Sequence, residues 1–300
     1  MESAERKQVI ISEVEAASWV KDGMTVAIGG FINSLHPMAI VRQIIRNRVR
    51  NLTLVGSGSA GLEIDLLIAA GCVKKLICPY VGAEELAPIG PVFRSAAQKG
   101  GLEIWEIDEG QYYAGLKAAI YMLPFHPWRT GVGTSYPEIN PNFKLFQDPI
   151  KGETLLAIPP IAPDIAVLHA AYSDPYGDVQ HEGSPLNDII LTKAADRTIV
   201  SVERIVPNEF VKRNPERTTI AGADAIVRAP YGSHPFASPG FYVEDDYHIK
   251  EYVAPATAIL KQDERSLLDA YLEKYIFGPK THADYLEIVG IKQLLSLYEY

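Results

Sequence analysis

Cysteine is nearly absent from the 300 residues: Cys72 and Cys78 are the two present. They are too few for a disulfide framework or a zinc cage, and both are expected as small buried apolar side chains. A long uninterrupted apolar run is also missing. The longest apolar region, Thr154 to Tyr172, contains Pro159, Pro160, Pro163 and Asp164, a combination that no ordinary membrane span carries. The opening stretch, Met1 to Gly23, mixes Glu, Lys and Asp among its apolar residues, which suits a capped amphipathic helix and not a secretory signal. Positive charge is the minority sign, with 28 Lys+Arg against 37 Asp+Glu and a formal net charge of -9. No Lys/Arg cluster interleaved with aromatics occurs, so the electrostatic footprint of a nucleic-acid binder is missing. No Pro-rich, Ser-rich or single-charge block interrupts the chain either. These absences predict a globular, soluble, cytoplasmic protein without nucleic-acid or membrane partners.

What the sequence does contain is a rhythm. Apolar β-rich runs begin at Met24, Leu52, Leu76 and Leu102, with starts 28, 24 and 26 residues apart, about the length of a strand-helix-strand unit. Between them, Ile40, Val41, Ile44 and Ile45 form one helical stripe. Tyr112, Leu116, Ala119, Ile120 and Leu123 form another, closed by Pro124. After an irregular stretch from Phe125 to Gly152, strand-like runs return at Leu155 to Ile158, Ile165 to His169, Thr198 to Val202 and Asp224 to Val227. The pattern predicts an α/β fold, with an open, mostly parallel sheet flanked by helices through about Pro230. Tyr231 to Tyr252 reads as loop. Leu267, Leu268, Tyr271, Leu272 and Tyr275, then Tyr285, Leu286 and Val289, predict a helical C-terminal tail. The expected division is an α/β domain over residues 1–254 and a helical extension over 255–300, packed on that domain or on a partner.

Glycine loops follow the first two strands. Gly56-Ser57-Gly58-Ser59-Ala60-Gly61 has the G-x-G-x-x-G spacing, but the next strand does not end in the acidic residue that a dinucleotide ribose needs, so NAD is set aside. The surviving physics is that Ser57, Gly58, Ser59 and Gly61 at a helix start allow backbone N–H groups to approach an anion or a thioester oxygen, unless the loop is only a tight turn. Gly29-Gly30-Phe31 closes the first strand and permits a similar approach. At the fourth strand end stand Glu106, Asp108 and Glu109. Alternation puts Glu106 and Asp108 on one face, where mutual repulsion would raise one pKa. Asp108 or Glu109 is equally suited to capping the next helix. Gly131-Val132-Gly133-Thr134-Ser135, after Arg129, is either an anion-holding loop formed by Gly133, Thr134 and Ser135 or an ordinary surface loop. His169 reads as a satisfied core histidine, no H-x-x-x-H pair exists for a metal, and no G-x-S-x-G elbow is present.

These residues together resemble the A subunit of family I coenzyme A transferases, closest to the glutaconate type. The likeness covers nearly the whole chain. Its marks are Gly23-Met24-Thr25 leading to Gly29-Gly30-Phe31, then Leu52-Thr53-Leu54, Gly71-Cys72-Val73-Lys74, Leu123-Pro124-Phe125-His126-Pro127, the segment Pro163 to Ala170, and the segment Ala229 to Pro235. The resemblance implies a CoA-transferase/NagB-like fold and a heteromer, A2B2 or larger. In it a B subunit glutamate attacks the thioester, giving an acyl-enzyme anhydride and then an enzyme-CoA thioester. Coenzyme A would be a substrate, with no permanently bound cofactor. Gly29, Gly30, Phe31 and the Ser57 to Gly61 loop would form the substrate and oxyanion region. The chain is also similar to the A subunit of the bacterial steroid ring-opening hydrolase at Glu106 to Gly110 and at Ser201 to Val206. That likeness implies an alternative, hydrolytic role for Glu106. The Asn33 to His36 loop lacks the basic residues that both relatives carry, and a non-catalytic acyl-CoA-binding subunit is the third reading.

Overall fold

The computed structural model describes residues 6–262 and 264–298. Its strands are β1 (Thr25–Ile28), β2 (Leu52–Val55), β3 (Val73–Ile77), β4 (Glu103–Trp105), β5 (His126–Trp128), β6 (Lys144–Gln147), β7 (Thr154–Ile158), β8 (Ile165–Ser173), β9 (Val179–Gln180), β10 (Arg197–Ile205), β11 (Thr218–Ile220) and β12 (Ala225–Arg228). The helices that matter below are α1 (Glu13–Ser18), α2 (Met38–Arg46), α3 (Leu62–Ala69), α4 (Pro91–Lys99), α5 (Glu109–Ile120), α6 (Tyr136–Ile139), α7 (Asp188–Ala194), α8 (Asn208–Arg213), α9 (Asp246–Gln262), α10 (Ser266–Leu272), α11 (His282–Val289) and α12 (Ile291–Ser296).

The expected parallel sheet is present. β1 pairs with β2, β2 with β3 and β3 with β4, all parallel. On its other edge β1 pairs in parallel with β8, β8 with β10 and β10 with β12. β9 pairs antiparallel with Tyr172 and Ser173, the last residues of β8, and β11 pairs antiparallel with β9. The chain therefore lays strands outward from β1 in one direction, then returns to its opposite side. The strand order reverses at β1, and the carboxyl end of a strand at such a reversal is where sheets of this class bind ligands.

Three elements differ from expectation. Leu155 to Ile158 does not resume the main sheet; it lies in β7, the middle strand of a separate antiparallel sheet with β5 and β6. Its inner residues Leu156 and Ile158 share a core with Tyr112 and Leu116 of α5. The third strand starts at Val73, not Leu76, because Lys75 is balanced by Glu103 directly opposite in β4, at 2.7 Å. Asp246 to Tyr252, read as loop, begins α9, and that helix continues through residue 254.

The helical stripes are buried as their spacing implies: Ile40, Val41, Ile44 and Ile45 of α2 are each at most 1% exposed. In the C-terminal tail, Leu268, Tyr271, Leu272, Tyr275 and Tyr285 join the same core as α2, while Leu267 faces solvent. A buried polar network fixes this tail. Arg42 of α2 places its guanidinium 3.6 Å over the Tyr285 ring and donates to the His234 carbonyl at 2.9 Å and to His282 Nδ1 at 3.3 Å. Tyr285 donates to His234 Nδ1 at 2.7 Å, and His234 Nε2 donates to Asp245 at 3.1 Å. His234, Asp245 and His248 bring ligand atoms within 4.8 Å of one another. The Arg42 charge beside both histidines opposes a cation there, so the trio acts as a hydrogen-bonded clasp.

Burial first, and then neighbouring positive charge, depresses the proton affinity of His234 and His248, and holds His282 at about 3. In the unfolded chain each returns to about 6.5. The unfolded state therefore binds more protons over this interval. The stabilisation is complete above about 6.5 and drains away as pH falls toward the depressed values, by about 1.4 kcal/mol per pH unit for each histidine. Urea midpoints measured at pH 7.5 and pH 5 are expected to drop on acidification; an unchanged midpoint would contradict this assignment.

Candidate active site

Two glycine loops meet at the carboxyl ends of β1 and β2. After β1, Gly30 adopts φ 98° and Ile32, a β-branched residue, adopts φ 50°, conformations that store strain of about 1–3 kcal/mol per non-glycine residue and persist only where surroundings impose them. The surroundings are identifiable. Gly29 N–H donates to the Val167 carbonyl of β8 at 3.0 Å, Gly30 N–H to the Asp188 carboxylate at 3.0 Å, and Phe31 N–H to the Ser34 carbonyl at 2.9 Å. Asp188 is itself held by His181 Nε2 at 3.1 Å. The C-terminal half braces the loop from outside: Ala237 N–H donates to Asn33, Leu35 N–H to Ala237, and Ala39 N–H to Gly232, at 2.8, 2.9 and 2.9 Å.

Beneath the loop, His36 and Glu63 of α3 are fully buried, with Nδ1 and a carboxyl oxygen 3.2 Å apart. Desolvation pushes Glu63 up to about 8 and His36 down to about 4. The two ring nitrogens of His36 each face a backbone carbonyl of the first loop, Nδ1 that of Gly29 and Nε2 that of Ile32, both at 3.0 Å. The other Glu63 oxygen accepts the Gly61 N–H at 3.1 Å. Ile32 N–H donates to the Ser59 carbonyl at 2.8 Å, so the first loop is the buttress of the second.

In the second loop the Gly56, Ala60 and Gly61 amides are committed to Ile77, Tyr80 and Glu63. Those of Ser57, Gly58 and Ser59 make no hydrogen bond among the described residues. Ser57 is 0% exposed and its hydroxyl is also without a partner. Buried donors left open in this way call for a ligand. Beside them, a Cβ built on Gly58 would lie 3.1 Å from Glu109 Oε1, 3.4 Å from Asn187 Oδ1 and 3.4 Å from the Tyr113 hydroxyl. Tyr113 donates to Asn187. Asn187 is 1% exposed, and no side-chain bond engages it in capping α7.

Other residues singled out by sequence lie elsewhere. Glu106 is exposed beyond the end of β4, its carbonyl accepting from Asn140 at 2.9 Å. Asp108 caps α5 in a reciprocal box with Gln111. Gly133, Thr134 and Ser135 are exposed. The Thr134 hydroxyl turns back to Gly131 at 2.7 Å and Arg129 pairs with Glu153, so neither is directed at the glycine loops. His169, 0% exposed, is held between Ser201 and Glu203 at 2.9 and 3.0 Å, inside the sheet and out of reach of a substrate. Burial pushes the Cys72 and Cys78 thiols up to about 11 and about 12, leaving both as packing residues. Asn187, Tyr113 and Asp188 carry no local motif. Their sequence signal is confined to the polar run Gly183 to Asp188 and the acids that open α5.

Known proteins place this architecture. The chain is similar to an uncharacterized protein of Archaeoglobus fulgidus, 37% identical over 292 residues, which cover 96% of this chain and 64% of that protein, so it spans less than two thirds of that relative. It is similar to the A subunit of glutaconate CoA-transferase from Acidaminococcus fermentans, 31% identical over 299 residues, 94% of this chain and 91% of that relative. The crystal structure of that enzyme superposes with a TM-score of 0.90 at 30% identity over 97% of this chain and 96% of its own. The cholesterol ring-cleaving hydrolase IpdA subunit of Mycobacterium tuberculosis is 34% identical over 282 residues, 90% of this chain and 93% of that relative. The coenzyme A transferase family model matches residues 11–228, from the entry to α1 through β12 and hence across both glycine loops; this chain belongs to the coenzyme A transferase family.

Proposed function

We propose that this chain is the A subunit of a heteromeric CoA-transferase, A2B2 or larger, that moves CoA between an acyl-CoA and a carboxylic acid in the cytoplasm. The observation that carries the reading is the set of uncommitted donors at Ser57, Gly58 and Ser59, held at the carboxyl end of β2. Donors already in place where a thioester carbonyl becomes negative stabilise the transition state without reorganising. The amides of Gly29, Gly30 and Phe31 are engaged within the chain, and their part is to hold Ser59 in position. A carboxylate on the B subunit is the nucleophile: it displaces CoA to form an anhydride, the CoA thiolate attacks the enzyme carbonyl, and the acyl group leaves as its carboxylate. Residues 1–254 supply both glycine loops and 255–300 secure them.

The test is to incubate the assembled complex with an acyl-CoA, a second carboxylate and 18O-labelled water. CoA appearing on the second carboxylate, with ping-pong kinetics and no solvent oxygen in the products, is expected. The IpdA relative favours a second reading, hydrolysis through Glu106. Exposure of that side chain sets the expectation that Glu106→Gln changes turnover by no more than about twofold, the range of an ordinary surface substitution. A loss of turnover with water-derived oxygen in a cleaved product would favour hydrolysis instead.

A further inference from the structure

The antiparallel corner of the sheet carries a line of hydrogen bonds that ends on the first glycine loop. β9 folds back along the last residues of β8 and pairs in turn with β11. His181 follows β9 directly, and Thr219 is the middle residue of β11. The Thr219 hydroxyl stands 2.7 Å from His181 Nδ1, and His181 Nε2 stands 3.1 Å from one carboxyl oxygen of Asp188. The other Asp188 oxygen accepts the Gly30 N–H at 3.0 Å. The His181 and Asp188 side chains are 0% and 1% exposed, so neither can turn to bulk water for another partner.

Nε2 faces a carboxylate, which only accepts, so the ring donates there. The Thr219 hydroxyl is nearer to Nδ1 than to the Val179 carbonyl, at 3.2 Å, and fixes how the ring is turned. Asp188 depends on that hold. It opens α7 and lies against Gly29, where an added Cβ would meet its Oδ1 at 2.4 Å. Released from His181, the buried carboxylate would keep the Gly30 amide as its one remaining partner on this line, and desolvation would drive it to turn away and take the acceptor of that amide with it. The bend at φ 98° for Gly30 and φ 50° for Ile32 is imposed by such contacts. Ile32 is the residue whose N–H holds the Ser59 carbonyl.

We propose that His181 is a positioning residue for the transfer reaction: oriented by Thr219, it keeps the Asp188 carboxylate on the Gly30 amide and so holds the first loop in the shape that seats Ser59. This rests on the CoA-transferase reading for the reaction served, and on the line from Thr219 to Gly30 for the brace itself.

His181→Leu, His181→Gln and Thr219→Val in the assembled complex test it, each with a melting curve to confirm folding. In His181→Leu, kcat for CoA transfer is expected to fall at least about thirtyfold with KM for the acyl-CoA within about threefold, the pattern of a displaced transition-state contact. Glutamine can offer Asp188 an amide N–H in place of Nε2, and is expected to recover at least about tenfold of that loss. Thr219→Val, which leaves the ring but removes its partner at Nδ1, is expected to lose about three- to tenfold. Hydrogen exchange in the peptide spanning Gly29 to Ile32 gives a readout independent of turnover: it is expected to quicken at least about tenfold in His181→Leu and to return toward wild type in His181→Gln. A kcat for His181→Leu within about threefold of wild type, or a glutamine variant no better than the leucine one, overturns the proposal. If His181→Leu does not fold, Thr219→Val decides, and a kcat equal to wild type there overturns it. Absence of CoA transfer by the wild-type complex, with the exchange order retained, would instead overturn the transferase reading and leave the brace standing.

Discussion

A single methyl group at Gly29 is expected to remove about 99% of CoA-transfer turnover, a hundredfold loss of the size that a 1 Å displacement at a reacting centre produces. The Cβ of Gly29→Ala would lie 2.3 Å from Leu168 Cδ2 and 2.4 Å from Asp188 Oδ1, distances at which both partners must move. Asp188 is the acceptor of the Gly30 amide, and two residues later Ile32 holds the Ser59 carbonyl. The push therefore reaches the open amides through two hydrogen bonds. Overpacking of this kind costs about 1–3 kcal/mol in stability, which a melting curve will register alongside the kinetics. The informative result is a kcat loss far larger than that modest destabilisation explains. Turnover within about threefold of wild type would remove the first loop from its buttressing role.

The second large effect concerns stability. Arg42→Leu is expected to destabilise the protein by about 3–5 kcal/mol, as removal of one member of a buried charged network does, and to lower the melting temperature by roughly 5–15 °C. Leucine keeps the apolar stem but abandons the His234 carbonyl, His282 Nδ1 and the face of Tyr285. Lysine is not expected to rescue, because a point charge cannot serve a carbonyl, an imidazole and a ring face together as the planar guanidinium does. Chemical denaturation of the three proteins at pH 7.5 checks this. A Leu variant within about 1 kcal/mol of wild type, the effect of an ordinary point substitution, would show the clasp to be dispensable.

Most of the sheet was legible because a strand buried on both faces needs a run of apolar residues, and β1, β2, β8, β10 and β12 have one. β5 and β6 were not, since Pro127, Lys144 and Gln147 sit on strands with one open face and no clean alternation. The start of α9 was hidden by polar Asp246 and Lys250 and by Tyr247, which is 73% exposed. At the site, both glycine loops announced themselves, whereas the assignment of their amides did not. Whether a backbone N–H is spare depends on what lies opposite, and Val167 and Asp188 come from β8 and α7, far along the chain. Glu109 was visible only as one acid among three, because its relation to Gly58 and Asn187 exists only after β2, α5 and α7 are brought together.

The bracing of Asn33 and Leu35 by Ala237 also sets an order of events in the cell. β1 leaves the ribosome well before Ala237, and the bend that follows it has no outer support until Ala237 has been made, roughly ten to forty seconds later at about 5–20 residues per second. During that interval the nascent chain carries the apolar face of α2 uncovered and its strained turn unformed. The first loop therefore reaches its finished shape only after most of the chain has been synthesised.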